Sequence, residues 1–188
     1  DETNKKMKFL DKSLVQGEIT TEQHALKKKY LFLLMYFIYY KVKYFFDEKV
    51  SNSIIFNING FLFVINIYTY IHVLSRHYIP SINFIDITKS INDELPIINT
   101  EKLPISLKDI ISQYYDNKGI PTEDDEYLIF TYNRTPYIIW IKYKSINELN
   151  HQRGFEVRTF YRCEEERDLI KMEPLSEYRI DDRLSYYF

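Results

Sequence analysis

The chain has 188 residues, 45% of them hydrophobic, which is enough for one ordinary domain or for a compact domain with a helical extension. Its formal net charge of −2 supplies no global field that would attract nucleic acid, so any nucleic-acid binding must be local. The single cysteine, Cys163, excludes an internal disulfide and a cysteine zinc site, and it favours a reducing, cytoplasmic location.

Residues 1–50 are predicted to form an N-terminal helical arm. Their start is polar, unlike a secretory signal, but the chain begins at Asp1 rather than methionine, so loss of an earlier segment stays open. Thr20 and Gln23 have the spacing of a capping box, which predicts that a helix begins there. The apolar run from Leu31 to Tyr40 predicts that the second half of this helix is buried on most sides. The run is about half of the ~20 residues that a membrane span needs, so no integral span is expected, while a dimer interface or a membrane-surface role stays open.

Residues 51–188 are predicted to form an α+β domain built from hairpins. Apolar runs flank Asn59-Gly60, and further runs flank residues 133–136; each arrangement predicts a β-hairpin. A last strand is predicted over Gly154 to Arg162. Simple alternation along it places Thr159 and Tyr161 on one sheet face and Arg158 and Arg162 on the other.

Two helices are predicted between these strands, one over Tyr68 to His77 and one that begins at Ser106 with a capping signature. Asn83 to Pro104 reads as a connecting stretch, and the charged sequence after Cys163 as loop with a short helix. About five strands joined by hairpins rather than helical crossovers predict an antiparallel sheet with helices packed on one side, the α+β class.

The helix over Tyr68 to His77 carries the first candidate site. His72 and Arg76 are four residues apart and share one helix face, while His77 stands at the helix end, where its ring can reach solvent. A histidine exchanges a proton near neutral pH and an arginine holds a phosphate through two hydrogen bonds, so the group suits acid/base chemistry on an anion. The alternative for His72 is a buried, hydrogen-bonded imidazole among apolar neighbours.

Three more arginines are candidates for binding phosphate: Arg158 and Arg162 on the last strand and Arg134 in the second hairpin turn. The alternative is that they pair with the abundant carboxylates. No metal is predicted, since the histidine pair of the common metal motif and its glutamate are absent. No cofactor is predicted either, because four scattered glycines form no phosphate-binding loop.

A helix ending in Arg76-His77, then a linker, a helix, a hairpin and the strand from Val157 to Tyr161, resembles the order of elements in one group of small ribonucleases. This is the barnase, EndoU, colicin and RelE-like group, which includes versions carried by phages and polymorphic toxins. The resemblance covers roughly residues 53 to 162.

The resemblance implies metal-independent RNA cleavage, in which the ribose 2′-hydroxyl attacks the adjacent phosphate. It gives His77 the role of base or acid. Arg76 and Arg158 would neutralise the phosphate. Thr159 or Tyr161 would donate a hydrogen bond to it. The sequence thus predicts a ribonuclease-like effector or toxin domain of a bacterial or phage conflict system, with RNA as its partner. The alternative is a non-enzymatic module that binds a cognate protein, such as an immunity protein, an antitoxin or a phage inhibitor. The oligomeric state is not predicted.

Overall fold

A computed structural model describes residues 2–46, 53–78 and 102–188 and shows an α+β fold. Its helices are α1 (Glu2–Val15), α2 (Thr21–Phe46), α3 (Ile67–Val73), α4 (Leu103–Lys118) and α5 (Glu166–Leu169). Its strands are β1 (Ser53–Ile58), β2 (Phe61–Asn66), β3 (Tyr127–Tyr132), β4 (Thr135–Ser145), β5 (Arg153–Arg162), β6 (Glu177–Arg179) and β7 (Leu184–Tyr187). A π-helical turn, Leu74–Tyr78, follows α3 directly. The connecting stretch predicted over 83–104 lies outside the described residues except for its end, which starts α4.

The strands form one open sheet in the order β1-β2-β5-β4-β3-β7-β6. The prediction of about five strands in an antiparallel sheet is corrected in two respects. β6 and β7 lie in the charged sequence after Cys163 and add two strands, which are too short to show a clear alternation. β2 and β5 pair in parallel, so the sheet is mixed and mostly antiparallel.

Both predicted hairpins are confirmed. Asn59 and Gly60 have φ angles of 49° and 93°, and Asn133 and Arg134 have φ angles of 48° and 66°. Two successive residues with positive φ are typical of the tight turns whose twist matches that of the flanking strands. The second turn is shorter than predicted, since β4 already begins at Thr135.

The main core lies on one face of the sheet, beneath α3, α4 and the C-terminal half of α2. It contains Phe63, Tyr70, Leu107, Phe130 and Phe160, all nearly inaccessible to solvent. The opposite face is also covered, because a smaller apolar cluster there joins the sheet to the segment around α5. The prediction of helices on one side only is therefore corrected.

α4 begins at Leu103 rather than Ser106, and no side chain caps it. A proline stands in its first turn, where the fixed φ of proline suits the helix.

The predicted capping box is confirmed. The Thr20 amide donates to Gln23 Oε1 at 2.9 Å, and the Gln23 amide donates to Thr20 Oγ1 at 3.1 Å.

The prediction that the second half of α2 is buried on most sides is wrong: Leu34 and Ile38 are buried, but Leu33 and Tyr40 are 55% and 62% exposed. An all-apolar run fixes no buried face, and α2 has partners on only part of its circumference. Within the described residues, no helix is both long and apolar enough to cross a membrane.

Gly154 lies where β5 meets β2, and a side chain there has no room. A Cβ atom on Gly154 would lie 2.7 Å from the Leu62 carbonyl oxygen and 2.8 Å from Leu149 Cδ1. The backbone oxygen cannot move without disturbing the paired strands, so Gly154→Ala is expected to lower the free energy of unfolding by about 3 kcal/mol. Urea denaturation measures this. Gly17→Ala is the control: its Cβ meets no atom within 4 Å, and only its positive φ of 72° opposes the change, at about 1 kcal/mol. Equal losses in the two variants would contradict crowding at Gly154.

Candidate functional site

A cavity of about 730 Å³ lies where α3, β4, β5 and the loop before β3 meet. Tyr68 and His72 come from α3, and Arg158, Thr159 and Tyr161 come from β5. The remaining lining residues are Glu123, Asp124, Asp125, Glu126, Trp140, Ile141, Lys142 and Tyr143. The cavity therefore combines an imidazole, a guanidinium, hydroxyl groups, aromatic rings and carboxylates.

Asn66 positions α3 against β5 at the side of this cavity. Its side chain accepts a hydrogen bond from the Thr69 amide at 3.0 Å, which makes it the N-cap of α3. Its Nδ2 lies 3.3 Å from Glu156 Oε1, and the Thr69 hydroxyl donates to the Val157 carbonyl of β5. β2 pairs with β5 over only a short register, and these bonds attach α3 to the next part of β5.

The π-helical turn sets the relation between the two histidines of this segment. In a π-helix the hydrogen bonds run from residue i to residue i+5, so His72 and His77 are brought to the same side. The centroids of their rings lie 6.0 Å apart, and the His77 ring stacks on Tyr161 at 4.8 Å with an interplanar angle of 24°.

The expected exposure of His77 is wrong. The ring is 6% exposed because it packs behind Tyr161, and it does not line the cavity. Arg76 is half-buried and also lies outside the lining. His72, for which the sequence left open a buried alternative, is half-buried and lines the cavity. The catalytic roles predicted for His77 and Arg76 stay predictions.

A β-bulge at Arg158 brings the β5 residues together. Thr159 pairs with Trp140 and Val157 pairs with Ile141, so Arg158 is an extra residue between two paired positions. Bulges re-aim side chains and are frequent next to active sites. The alternation predicted for β5 is therefore corrected: Arg158, Thr159 and Tyr161 all line the cavity.

Two predicted phosphate-binding arginines lie elsewhere. Arg162 does not line the cavity, unlike Arg158. Its strand position pairs with Tyr137, a residue of the main core, and its Nε lies 3.4 Å from Glu164 Oε1. Arg134 is exposed in the second hairpin turn and is not a lining residue. The bulge explains why simple alternation grouped the arginines wrongly.

Glu156 holds the Arg158 guanidinium in place. Its Oε2 lies 2.5 Å from Arg158 Nη1 and 3.0 Å from Lys144 Nζ. Burial alone would raise the pKa of Glu156, but the hydrogen bonds from Arg158 and Lys144 outweigh burial and hold the pKa below its usual value. Glu156 is therefore charged at neutral pH. The Arg158 guanidinium lies 5.8 Å from the centroid of the Tyr68 ring and keeps further N–H donors beside those bound to Glu156.

Thr159 and Tyr161 are the two hydroxyl-bearing residues of β5 that line the cavity. Thr159 Oγ1 is buried and has no hydrogen-bond partner within the part of the chain that the structure describes. Trp140 Nε1 donates to the Tyr161 hydroxyl at 2.9 Å. Burial raises the pKa of Tyr161 to about 12, although the bond from Trp140 acts in the opposite direction. The nearby Asp168 carboxylate raises the pKa further, so the phenol keeps its proton at neutral pH and is not a base.

An acidic loop, Glu123 to Glu126, closes one side of the cavity. Lys118 neutralises Asp125 at 2.7 Å, and Arg153 lies 3.1 Å from Glu123. Asp124 and Glu126 are exposed at the rim. The sequence shows this cluster as an acidic run, but its position beside the histidine and the arginine depends on the sheet order, which the run itself does not reveal.

Lys142 is a second cation in the lining, and the cysteine of the chain lies outside it. Cys163 is buried, and burial raises the pKa of its thiol to about 12, so it is not a thiolate nucleophile at neutral pH. Among the described residues, no three of the histidine, cysteine, aspartate and glutamate side chains are grouped in a way that could hold a metal ion.

Comparison with protein-family models, curated proteins and solved structures found no match. The resemblance to the small ribonucleases therefore depends on the residues of this chain alone, and what it implies stays a proposal.

Proposed function

We propose that this protein is a metal-independent ribonuclease whose active site is the cavity between α3 and β5. One observation carries the proposal: His72, Arg158, Thr159 and Tyr161, each a candidate from the sequence, line the same cavity. They come from two segments far apart in the chain. A proton-transfer group, a cation and hydroxyl donors around one space are what phosphodiester cleavage by an internal hydroxyl needs.

The proposed reaction is an attack of the ribose 2′-oxygen on the adjacent phosphorus. The new O2′–P bond forms as the P–O5′ bond breaks, and the products are a 2′,3′-cyclic phosphate and a 5′-hydroxyl end. One protein group takes the 2′-proton and another gives a proton to the leaving 5′-oxygen. His72 is assigned to one transfer, and a rim carboxylate, Asp124 or Glu126, to the other, since all three line the cavity.

The charge that develops on the phosphate is assigned to Arg158 and Thr159. The guanidinium offers N–H donors in a fixed plane, and Thr159, also a lining residue, has a buried hydroxyl with no partner among the described residues. Glu156 fixes the direction of Arg158, which lowers the entropy lost when phosphate binds. His77, stacked behind Tyr161, is assigned a positioning role.

Aromatic side chains in the lining suit single-stranded RNA. Tyr68, Trp140 and Tyr143 line the same cavity, and stacking of a base on an aromatic ring contributes about 1–3 kcal/mol. The acidic loop disfavours a long polyanion, so a short, flexible single strand is the substrate class that fits best. The biological role we propose is that of a toxin or effector that acts on RNA in a reducing, cytoplasmic setting.

The decisive experiment incubates the protein with a short, end-labelled single-stranded RNA in the presence of a chelator. Cleavage to a 2′,3′-cyclic phosphate is expected to persist with the chelator, and the same sequence made with 2′-deoxyribose is expected to stay intact. Loss of activity on chelation, or cleavage of the deoxy strand, would contradict the mechanism. Without any cleavage, the acidic rim would favour the alternative, a module that binds a protein without catalysis.

A further inference from the structure

Helix α2 exposes apolar side chains over more than half of its circumference. Residues 30–40 include no charged residue, and only three of them are buried. Leu31 packs beside Leu10 of α1, and Leu34 and Ile38 belong to the main core. The other eight are apolar and between 37% and 63% exposed: Tyr30, Phe32, Leu33, Met35, Tyr36, Phe37, Tyr39 and Tyr40. We call these eight residues the apolar arc.

The width of the apolar arc indicates what kind of surface can cover it. At about 100° per residue, the arc runs from Met35 to Tyr30 and spans about 220° of the helix. A helix that packs against another element uses a stripe of about 100°. One partner helix, or α2 of a second copy, would therefore leave about half of the arc in water. A lipid layer can enclose the whole arc, because it adapts to the shape of an inserted helix.

The area of the apolar arc exceeds what a solvated helix normally exposes. At ~150–250 Å² for a fully exposed aromatic side chain, eight half-exposed members present on the order of 800 Å². The largest apolar patch on a typical monomer is about 300–600 Å², and larger patches mark protein or membrane interfaces. A helix that is apolar on all sides is stable only where each side meets an apolar phase. The core is one such phase for α2, and the apolar arc requires a second.

Lysines stand at both ends of the apolar arc, on the same side of the helix. Continued 100° steps place Lys28 and Lys29 before the arc and Lys43 after it, at angles that lie within its span. Lys29 and Lys43 are exposed. A lysine stem can lie along an apolar surface while its ammonium group reaches a lipid phosphate. Four members of the arc are tyrosines, a residue type enriched where a membrane meets water.

The charge of the helical arm favours an anionic surface. Residues 2–46 contain nine lysines and four carboxylates, a net charge of +5, although the whole chain carries −2. α2 contains no aspartate or glutamate after Glu22. A nucleic acid is also anionic, but proteins that bind single strands place cations among the stacking rings, and residues 30–40 have none. Anionic lipid matches both the charge at the ends and the uncharged centre.

We propose that α2 binds the surface of an anionic membrane, with the apolar arc at the boundary between headgroups and acyl chains and the flanking lysines at lipid phosphates. The helix would lie along the membrane plane, with Leu34 and Ile38 still packed in the protein core on its other side. The proposal does not depend on the ribonuclease assignment, because the apolar arc and the cavity share no residue.

Flotation of the full chain with lipid vesicles tests the proposal. Vesicles that contain phosphatidylcholine and phosphatidylserine in equal amounts are expected to capture the protein, and vesicles of phosphatidylcholine alone are expected to bind it about tenfold or more weakly. Added salt is expected to weaken capture, because it screens the lysines from the lipid charge. Equal capture by the two vesicle compositions, or capture by neither, would overturn the proposal.

A matched pair of double variants tests whether the apolar arc is the binding surface. Leu33→Gln combined with Tyr36→Gln is expected to weaken capture about tenfold or more, because both side chains would leave the lipid. Ile120→Gln combined with Tyr178→Gln makes the same kind of change at exposed positions outside α2 and is expected to leave capture intact. All four side chains are exposed, and circular dichroism checks that each variant is folded. Equal losses in the two variants would contradict a role of the arc.

A second pair of variants tests the lysines. Lys29→Gln combined with Lys43→Gln is expected to weaken capture by the anionic vesicles about tenfold, since each lysine near such a surface contributes to binding. Arg179→Gln combined with Arg183→Gln removes the same charge from β6 and the loop that follows it and is expected to have little effect. A loss of similar size in both would indicate that net charge alone drives capture, against the proposed orientation.

Two further measurements address other occupants of the apolar arc. Sedimentation velocity without lipid tests a second copy of this chain, and anisotropy with a labelled single-stranded RNA tests a nucleic acid. A dimer that Leu33→Gln with Tyr36→Gln dissociates, without vesicle capture, would replace the proposal with self-association. RNA binding that the same variant abolishes, again without vesicle capture, would replace it with a nucleic-acid surface.

Discussion

Replacing His72 with asparagine is expected to lower the rate of RNA cleavage about 10³-fold, within the range found for loss of a general acid or base. Asparagine keeps a polar side chain but cannot exchange a proton near neutral pH. His72 lines the cavity between Tyr68, at a ring distance of 5.5 Å, and the buried His77. Initial rates on labelled RNA measure the effect, and thermal unfolding is expected to stay within about 1–2 kcal/mol of the wild type, since the residue is only half-buried.

The matched control is His151→Asn. His151 is exposed, does not line the cavity and has a φ of 65°, a conformation that asparagine tolerates well. Cleavage by this variant is expected to equal that of the wild type. A separate variant, His77→Phe, keeps an aromatic ring stacked on Tyr161 and is expected to retain most of the activity. If His77→Phe lost activity while His72→Asn retained it, proton transfer would belong to His77 instead.

Replacing Arg158 with alanine is expected to lower the rate of RNA cleavage about 10²-fold. Removal of one preorganised donor to developing negative charge costs an amount of this order. The fold should tolerate the change, because Glu156 keeps Lys144 at 3.0 Å and the Asn66 amide at 3.3 Å as partners. Steady-state rates and urea denaturation are the two measurements.

Two other arginine variants test the assignment. Arg158→Lys keeps the charge but not the planar pair of donors, so partial activity is expected. Arg134→Asn removes the same charge from the exposed hairpin turn at a φ of 66°, which asparagine tolerates, and is expected to leave cleavage unchanged. If loss of Arg134 impaired cleavage as much as loss of Arg158, the effect would reflect overall charge rather than the cavity.

Local chemistry made part of the fold predictable. The hairpin at Asn59 needs positive φ angles that few residue pairs tolerate, and the capping box at Thr20 satisfies helix amides from nearby residues. Each signal is contained within a few residues and does not depend on the rest of the chain. The short strands β6 and β7 carry no such signal: β7 pairs with the distant strand β3, and β6 is a three-residue strand that pairs with β7.

The candidate site was predictable in its residue types but not in its arrangement. His72, Arg158, Thr159 and Tyr161 stand out as reactive side chains in two segments, and the structure brings them to one cavity. The bulge at Arg158 shifts the side-chain order of β5 by one residue, and the π-helical turn after Val73 does the same for its helix. The local sequence pattern predicts neither feature. The same limit applied to α2, where an all-apolar run does not show which side meets the core.

The bulge in β5 allows one strand to supply side chains to the core and to the cavity. Without Arg158, the side chains from Phe155 to Tyr161 would alternate regularly between the core face and the opposite face of the sheet, and the ladder with β4 would be continuous. Arg158 is thus a residue inserted into an otherwise regular strand. Its identity, and even its presence, can change without turning any neighbouring side chain to the other face. Evolution could therefore add or remove the cation while the hydrophobic interior stayed as it was.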